Sequence, residues 1–257
     1  MKKMLLLILI IVSSFLLISC TKQSEKPVAE IVLNKYYTAV IAGDYGTAYE
    51  CLSIKTKSAY SMEKFKENHE LLKKAYGVTK FEIVGTEGSD QLKTFKIKTT
   101  GTKPDSNIPE PAFVTLEDNQ YKMIYMGEMF NELTALACHQ IAFDNLYSKE
   151  RDFDYIIHVS KKAIELDPEN EFSYCDLARA YSLSGNMIAG LEAIDEYINL
   201  YPGFTKNDKA LAEMYSLKGL NLVGQHKMME AKAAYQKSLQ LDPTDKNTNL
   251  SLQELNS

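Results

Sequence analysis

The sequence contains no tryptophan, only four cysteines and four histidines, and fewer basic than acidic side chains. So few cysteines and histidines argue against a disulfide-built scaffold and against a zinc cluster. The formal net charge of −5 disfavours nucleic acid as the main partner, because phosphate binding requires a basic face. With 45% hydrophobic and 25% charged residues, the 257-residue chain is neither wholly disordered nor a multi-pass membrane protein. Its length predicts about two domains.

The N-terminus has the layout of an export signal. Two lysines precede a mostly apolar stretch over residues 4–18, which is shorter than the ~20 apolar residues of a comfortable membrane span. The stretch ends in the letters LISC, which resemble a bacterial lipobox. The resemblance implies that residues 1–19 are a signal peptide, and that Cys20 becomes the first residue and carries acyl chains such as palmitate. An uncleaved anchor helix is the alternative.

These features predict an extracytoplasmic lipoprotein attached to a bacterial membrane. The membrane is the cell membrane, or the outer membrane if the source is Gram-negative. Residues 20–27 are polar and predict a short tether between the lipid and the folded part of the chain.

Residues 28–127 predict a small α+β domain, with helices packed on a curved antiparallel sheet. Asp44 and Ser61 are expected to cap helices, and Gly77 to end one. Apolar residues have helical spacing over 28–42, 45–52 and 61–76. Alternating patterns predict strands at 80–84, 92–99, 112–116 and 121–125, with turns at Gly85, 88–90 and 117–119 and a loop over 100–111.

Two strings in this segment, YYTAVIAGDYGTAYECLS and VTLEDNQYKMI, resemble nuclear transport factor 2-like domains of bacterial lipoproteins. The second string departs from the family, because Tyr121 stands where tryptophan is usual. The resemblance implies a cone whose open end can hold a ligand or an active site, as in ketosteroid isomerase-like enzymes. It therefore supports a second hypothesis, in which a small molecule or peptide binds in the cone and the C-terminal half is a structural support.

No catalytic residue can be assigned in this segment. A proton-transfer site needs a convergent acid–base constellation in a dry pocket, and none is evident. We expect His69 to lie on the polar surface of a helix, and we expect a packed core rather than a pocket lining from four helical tyrosines. These are Tyr36, Tyr37, Tyr49 and Tyr60. The prediction is a non-enzymatic protein without a metal or a cofactor, and a hydrolase or isomerase is the weaker alternative.

The C-terminal half contains three similar strings, AIELDP, YINLYP and SLQLDP, which end at Pro168, Pro202 and Pro243. The first spacing is 34 residues and the second is 41, and a 34-residue period resembles that of the tetratricopeptide repeat. Residues 128–257 thus predict an all-α tetratricopeptide-repeat solenoid. Counting back from each proline places repeats at 137–170, 171–204 and 212–245, with 128–136 extending the first helix or linking it to the sheet, and 246–255 as a capping helix.

The resemblance implies a concave face, lined by the first helix of each repeat, that holds a peptide or a partner helix. A carboxylate clamp would need several lysines, arginines and asparagines, whereas only Asn145 and Arg179 qualify, so a mixed apolar groove for a protein of the cell envelope is favoured. Packing between neighbouring helices is the alternative for each single residue. The predicted groove residues are Ile141, Asn145, Phe172, Cys175, Arg179, Ser182, Glu213, Ser216 and Leu220; Cys138, Ser148 and Val223 occupy equivalent positions.

Three cysteines remain besides Cys20, which is an odd number. Cys138 and Cys175 are predicted on adjacent helices, where a disulfide would need Cα atoms within ~7 Å. Free buried thiols are the default expectation, and pairing is the alternative.

Overall fold

A computed structural model describes residues 28–103, 109–125, 127–201 and 208–256. The predicted signal peptide, Cys20 and the tether lie outside the described residues. Within the described ranges, no helix combines the length and the apolar character that crossing a membrane requires.

The N-terminal half consists of helices followed by one antiparallel sheet of strand order β1-β2-β3-β4, as the sequence predicts. Its helices are α1 (Val28–Ala42), α2 (Tyr45–Glu50), α3 (Ile54–Ala59) and α4 (Met62–Tyr76). Its strands are β1 (Val78–Gly88), β2 (Leu92–Gly101), β3 (Pro109–Glu117) and β4 (Gln120–Ile124).

Local signals account for most helix ends in this half. Asp44 Oδ1 accepts a hydrogen bond from the Thr47 backbone N–H at 3.1 Å, and Ser61 Oγ accepts one from Lys64 N–H at 3.2 Å. Gly77 ends α4 in the left-handed conformation, with φ of 59°. All three predicted helix ends are confirmed.

Two local predictions were incomplete or wrong. The helix α3 was not predicted, because its six residues are mainly polar and only the cap at Ser53 marks its start. Gly85 does not form a turn, since β1 continues through it to Gly88 with a register irregularity between Ile83 and Gly85. A glycine inside a strand often marks such a bulge.

The C-terminal half is entirely helical among the described residues. Its helices are α5 (Gly127–Leu146), α6 (Phe153–Leu166), α7 (Glu171–Leu183), α8 (Met187–Leu200), α9 (Asp208–Gly224), α10 (Met228–Leu241) and α11 (Lys246–Glu254). Consecutive helices pair as hairpins, and α11 packs on the last of them through Leu255 beside the buried Leu222 and Ala231.

The first hairpin departs from the predicted register. Cys138, Ile141 and Ala142 are buried in α5, and the buried Tyr174, Leu177 and Ala178 of α7 stand 36 positions later, not 34. The connection between the two helices of the hairpin has six residues (147–152) in the first repeat and three (184–186) in the second, and α5 ends one residue earlier in this register than α7, so the net shift is two residues. Counting back from Pro168 therefore assigned α5 two positions too late.

Candidate interaction surface

The helix α5 joins the two halves of the protein. One side of it packs against α4 of the sheet-containing half and against α6, in a shared core that includes Ala75 and Tyr76 of α4 with Cys138 and Ile141 of α5. An ion pair between Lys162 and Glu67, at 3.3 Å, also connects α6 to α4. In this way α4 covers the first hairpin where a preceding repeat would otherwise pack.

The opposite side of α5 carries exposed apolar side chains. The exposed fractions are 38% for Met129, 44% for Leu136, 42% for Phe143 and 67% for Tyr147. Large apolar side chains that stay exposed in a row mark interaction sites more often than isolated ones do. We call six positions along this side the α5 seam: Met129, Leu133, Leu136, Gln140, Phe143 and Tyr147. Leu133 and Gln140 are half-buried, Leu133 also packs against the shared core, and Tyr147 directly follows the last residue of α5.

The seam continues across to α7 through aromatic contacts. The ring of His139 stacks on Phe172 of α7, with centroids 5.1 Å apart and an interplanar angle of 25°. Phe143 lies 6.1 Å from His139 and 4.6 Å from Tyr147. Phe172 is 45% exposed, so α5 and α7 present one aromatic surface to solvent.

Beside this surface, a network of polar and charged side chains connects α5, α7 and α9, each of which is the first helix of its hairpin. His139 Nδ1 lies 2.5 Å from Asp176 Oδ2, and Arg179 Nη1 donates to Asp176 Oδ1 at 3.3 Å. The guanidinium of Arg179 also makes two 2.7 Å hydrogen bonds to the carboxylate of Glu213 on α9. Burial by itself lowers the pKa of Arg179, but the hydrogen bonds and charge of Glu213 outweigh burial and raise that pKa above its usual value.

This network means that Arg179 and Glu213 neutralise each other within the chain. A carboxylate clamp would need Arg179 free for the partner's carboxylate, so the geometry disfavours that alternative. The two residues instead hold α7 and α9 together at a point where Asp176 is fully buried.

Several predicted groove residues belong to the interior. Ile141, Cys175 and Ser182 are buried, because α5 and α7 turn these positions towards neighbouring helices, and their side chains cannot line an accessible face. Asn145 donates to the Ile141 carbonyl at 3.1 Å, and Ser216 Oγ lies 2.6 Å from Thr248 Oγ1 of α11. Phe172 and Leu220 are the predicted groove residues with large exposed apolar side chains, and Leu220 is 44% exposed.

The corrected register identifies residues that the sequence analysis missed. Three residues of α5 stand 36 positions before Phe172, Cys175 and Arg179 and therefore occupy the equivalent positions of the first repeat. They are Leu136, His139 and Phe143. The signal in the sequence that points to the exposed members of this set is the regular apolar spacing over residues 129–147.

A cavity of about 220 Å³ lies between the N-terminal part of the α5 seam and the sheet. Met129, Leu133 and Leu136 line one side, and Tyr36, Tyr37 and Tyr125 contribute aromatic rings to the rest of the wall. The β3 and β4 residues that complete it are Pro111, Ala112, Phe113, Met123 and Ile124. The lining is mainly apolar, so the cavity suits an apolar group.

Behind the cavity, His69 is buried, and its predicted place on a polar surface is wrong. Its Nε2 lies 2.9 Å from the Tyr36 hydroxyl and 3.2 Å from the Tyr125 hydroxyl, and those two hydroxyls also contact each other. The ring stacks on Tyr45. Burial lowers the pKa of His69 to about 3, so the imidazole is neutral at physiological pH and is a weak base.

The helical tyrosines belong to the core, as predicted. Tyr36, Tyr37 and Tyr60 are buried, and Tyr49 is half-buried against the same cluster. Tyr36 and Tyr37 also line the cavity, so for these two the core and pocket-lining interpretations both hold. Cys51, Cys138 and Cys175 are free and buried, which confirms the default expectation for the thiols.

Comparison with known proteins supports the prediction of tetratricopeptide repeats in the C-terminal half. A tetratricopeptide repeat family model matches residues 212–245, the third predicted repeat. The C-terminal half is thus helical and tetratricopeptide-like. A search of curated proteins finds no match.

Three solved structures similar to this chain include two that are named as tetratricopeptide structures. The first tetratricopeptide domain of human RPAP3 is 20% identical, with a TM-score of 0.42, and the match covers 48% of this chain and 89% of that one. The N-terminal domain of stress-induced protein-1 from C. elegans is 21% identical, with a TM-score of 0.44 over 49% and 98% of the two chains. The first tetratricopeptide repeat of Spaghetti (RPAP3), bound to the HSP90 peptide SRMEEVD, is 20% identical, with a TM-score of 0.42 over 48% and 90%.

Proposed function

We propose that this protein is a non-enzymatic, lipid-anchored adaptor that holds a partner protein of the cell envelope on the first helices of its tetratricopeptide half. The observation that carries the proposal is the exposed aromatic surface formed by Phe143, Tyr147 and Phe172. Repeat arrays of this family present extended binding surfaces, and the match at residues 212–245 supports this type of use.

The anchoring part of the proposal rests on the sequence alone. The apolar stretch 4–18 and Cys20 support export and acylation. In this proposal a nuclear transport factor 2-like unit over residues 28–127 lies nearest the membrane, and the repeats over 128–257 lie beyond it. Metabolic labelling with an alkyne fatty acid in a bacterial host tests this. We expect label on the wild-type chain and none on Cys20→Ser; equal labelling of both would contradict acylation at Cys20.

The binding part can be tested in cells by site-directed photo-crosslinking in the lipidated full chain. A photoreactive amino acid at position 143 or 172 is expected to capture a discrete envelope protein. The control position is 229, because Met229 is 81% exposed but lies on α10, a second helix. Combined Phe143→Ala and Phe172→Ala substitution should abolish recovery of that partner, whereas Met229→Ala should not. Equal capture from position 229, or recovery unaffected by the double substitution, would contradict the proposal.

The cavity supports a second candidate function, the binding of a small apolar molecule in the sheet-containing half. The observation in its favour is a mainly apolar space of about 220 Å³ with the rings of Tyr36 and Tyr125 in its wall. A panel of small apolar compounds, screened by thermal unfolding, tests this. Stabilisation that is lost in Ala112→Leu, which narrows the cavity, would favour it; no stabilisation by any compound would count against it.

A further inference from the structure

The helix α5 has apolar side chains both on the side that the rest of the chain covers and on the side that it leaves exposed. Its buried side includes Phe130, Ala135, Cys138 and Ile141, while the exposed side carries the α5 seam. A helix that is apolar all round is normally buried all round. One face of α5 is therefore built for contact with something outside this part of the chain.

The spacing along the seam indicates what that contact is. Met129, Leu136 and Phe143 are seven residues apart, and Leu133, Gln140 and Tyr147 form a second series with the same period. The intervals alternate between four and three residues, which is the a/d pattern by which one helix packs along another. An extended segment has a side-chain period of two and does not match this pattern. The seam spans 18 residues of rise, about 27 Å, enough for five turns of a partner helix.

The surroundings of the seam form the walls of a groove. The cavity lined by Ala112 and Phe113 of β3 lies along the N-terminal part of the seam. His139 and Phe172 lie along its C-terminal part. Docking of an amphipathic helix into an apolar groove is a recurrent mode of recognition. A large apolar side chain of the partner would fill the cavity of about 220 Å³, which is smaller than the ~300 Å³ at which pockets for drug-sized molecules begin.

The charges beside the seam restrict the partner further. Glu128 and Glu132 are exposed near its N-terminal end, and Glu132 lines the cavity. Neither has an ion-pair partner among the described residues. A partner helix with lysine or arginine beside its apolar stripe complements this edge. A second copy of the chain would bring further acidic residues towards it, which disfavours self-association.

We propose that the α5 seam is the docking site for an amphipathic helix of the partner protein, with an apolar stripe flanked by basic residues. This rests on the proposed adaptor function and specifies the binding element. Gln140 sits in the middle of the seam, where a polar side chain in an otherwise apolar stripe sets the register of the two helices. Its Nε2 donates to Asp144 Oδ1 at 2.8 Å, which holds it in place.

A displayed library of random 20-residue segments, selected against the full chain, tests the proposal directly. We expect the selected segments to have apolar residues at alternating three- and four-residue spacing, with lysine or arginine beside them. Because the chain has no tryptophan, a tryptophan placed in a selected segment reports binding by fluorescence without a tryptophan background from the protein. Convergence on extended patterns, or no enrichment above an unrelated control protein, would overturn the proposal.

Substitutions separate this proposal from the adaptor function on which it rests. Leu136→Ala should weaken binding of a selected segment by about fivefold or more, and Met229→Ala should leave it unchanged. If binding of a segment requires Phe172 but neither Leu136 nor Met129, the seam proposal is overturned and the adaptor surface is kept. If binding requires none of these three residues, both proposals are overturned. A proline in the middle of the segment should abolish binding, and unchanged binding would refute the helical form. A dimer of the full chain that Leu136→Asp dissociates would identify a second copy as the occupant instead.

Discussion

Gly219 offers a quantitative test of how the third hairpin is packed. It lies in α9, directly opposite Tyr235 of α10. A Cβ added at this position would stand 2.4 Å from Tyr235 Cε1, 2.5 Å from Cδ1 and 2.8 Å from Cζ. Optimal contact between carbon atoms is about 3.5–4.0 Å. Since Tyr235 is only 3% exposed, its ring has no free space in which to move aside.

Two opposing effects determine the stability of Gly219→Ala. Replacing glycine by alanine inside a helix stabilises by about 1 kcal/mol, because alanine loses less backbone freedom on folding. Overpacking a filled core costs about 1–3 kcal/mol, and three contacts below 3 Å with an aromatic ring place this substitution at the upper end. We expect a net loss of about 1–2 kcal/mol, which lowers the Tm by about 2–8 °C.

Urea and thermal unfolding followed by far-ultraviolet circular dichroism measure this loss. The matched control is Gly127→Ala at the start of α5, where an added Cβ meets nothing within 4 Å and stability should be unchanged or slightly raised. In a Tyr235→Leu background, which removes the ring, Gly219→Ala should cost less. A Gly219→Ala protein as stable as the wild type, or an equal cost in both backgrounds, would refute the packing argument.

Three further predictions concern buried polar groups. Because the pKa of His69 is lowered from 6.5 to about 3, the unfolded chain binds a proton in that range that the folded chain does not, so stability falls as the pH drops from about 6.5 towards 3, by up to about 1.4 kcal/mol per pH unit. Urea midpoints should therefore vary less with pH in His69→Gln than in the wild type or in the exposed-site control His158→Gln. Arg179→Lys keeps the charge but loses the two-point contact with α9, and should lower stability by about 1–2 kcal/mol in thermal unfolding. Burial raises the pKa of the thiols of Cys138 and Cys175 to about 12, so both should react with an aromatic disulfide reagent only after unfolding in urea.

Each of these has a clear contrary result. Identical pH profiles for the wild type and His69→Gln would mean that folding does not change the pKa of the imidazole. Full stability of Arg179→Lys would mean that a single hydrogen bond suffices between α7 and α9. Rapid thiol reaction in the folded protein would place those cysteines at the surface.

Part of the fold follows from short-range chemistry and could be predicted. The cap at Ser61 and the left-handed glycine at position 77 act within a few residues of themselves, so the sequence there contains the whole cause. The turn of the third repeat is also determined locally. It needs a residue with positive φ, and His226, with φ of 62°, occupies the position that Gly185 occupies in the second repeat. Strand positions were likewise predictable from alternation: the first three strands are longer in the structure than predicted, and the fourth is shifted by one residue.

The candidate site was predicted only in part. Phe172 and Leu220 are exposed on the expected helices, but Ile141 was assigned by counting across a loop whose length differs between repeats. A constant period holds only while every connection keeps its length. Asp152 caps the start of α6, but the period itself carries no information on the length of the connection before that cap.

By itself, the sequence determined the α+β half and the helical hairpins, because each depends on residues close together in the chain. Only the tertiary structure decided the environment of His69, whose partners Tyr36 and Tyr125 lie 33 and 56 positions away. It also decided which side of α5 stays exposed. Burial depends on elements that meet in space: α4 and α6 cover one side of α5, the sheet borders the cavity at the N-terminal part of the seam, and the rest of the seam is left largely to solvent.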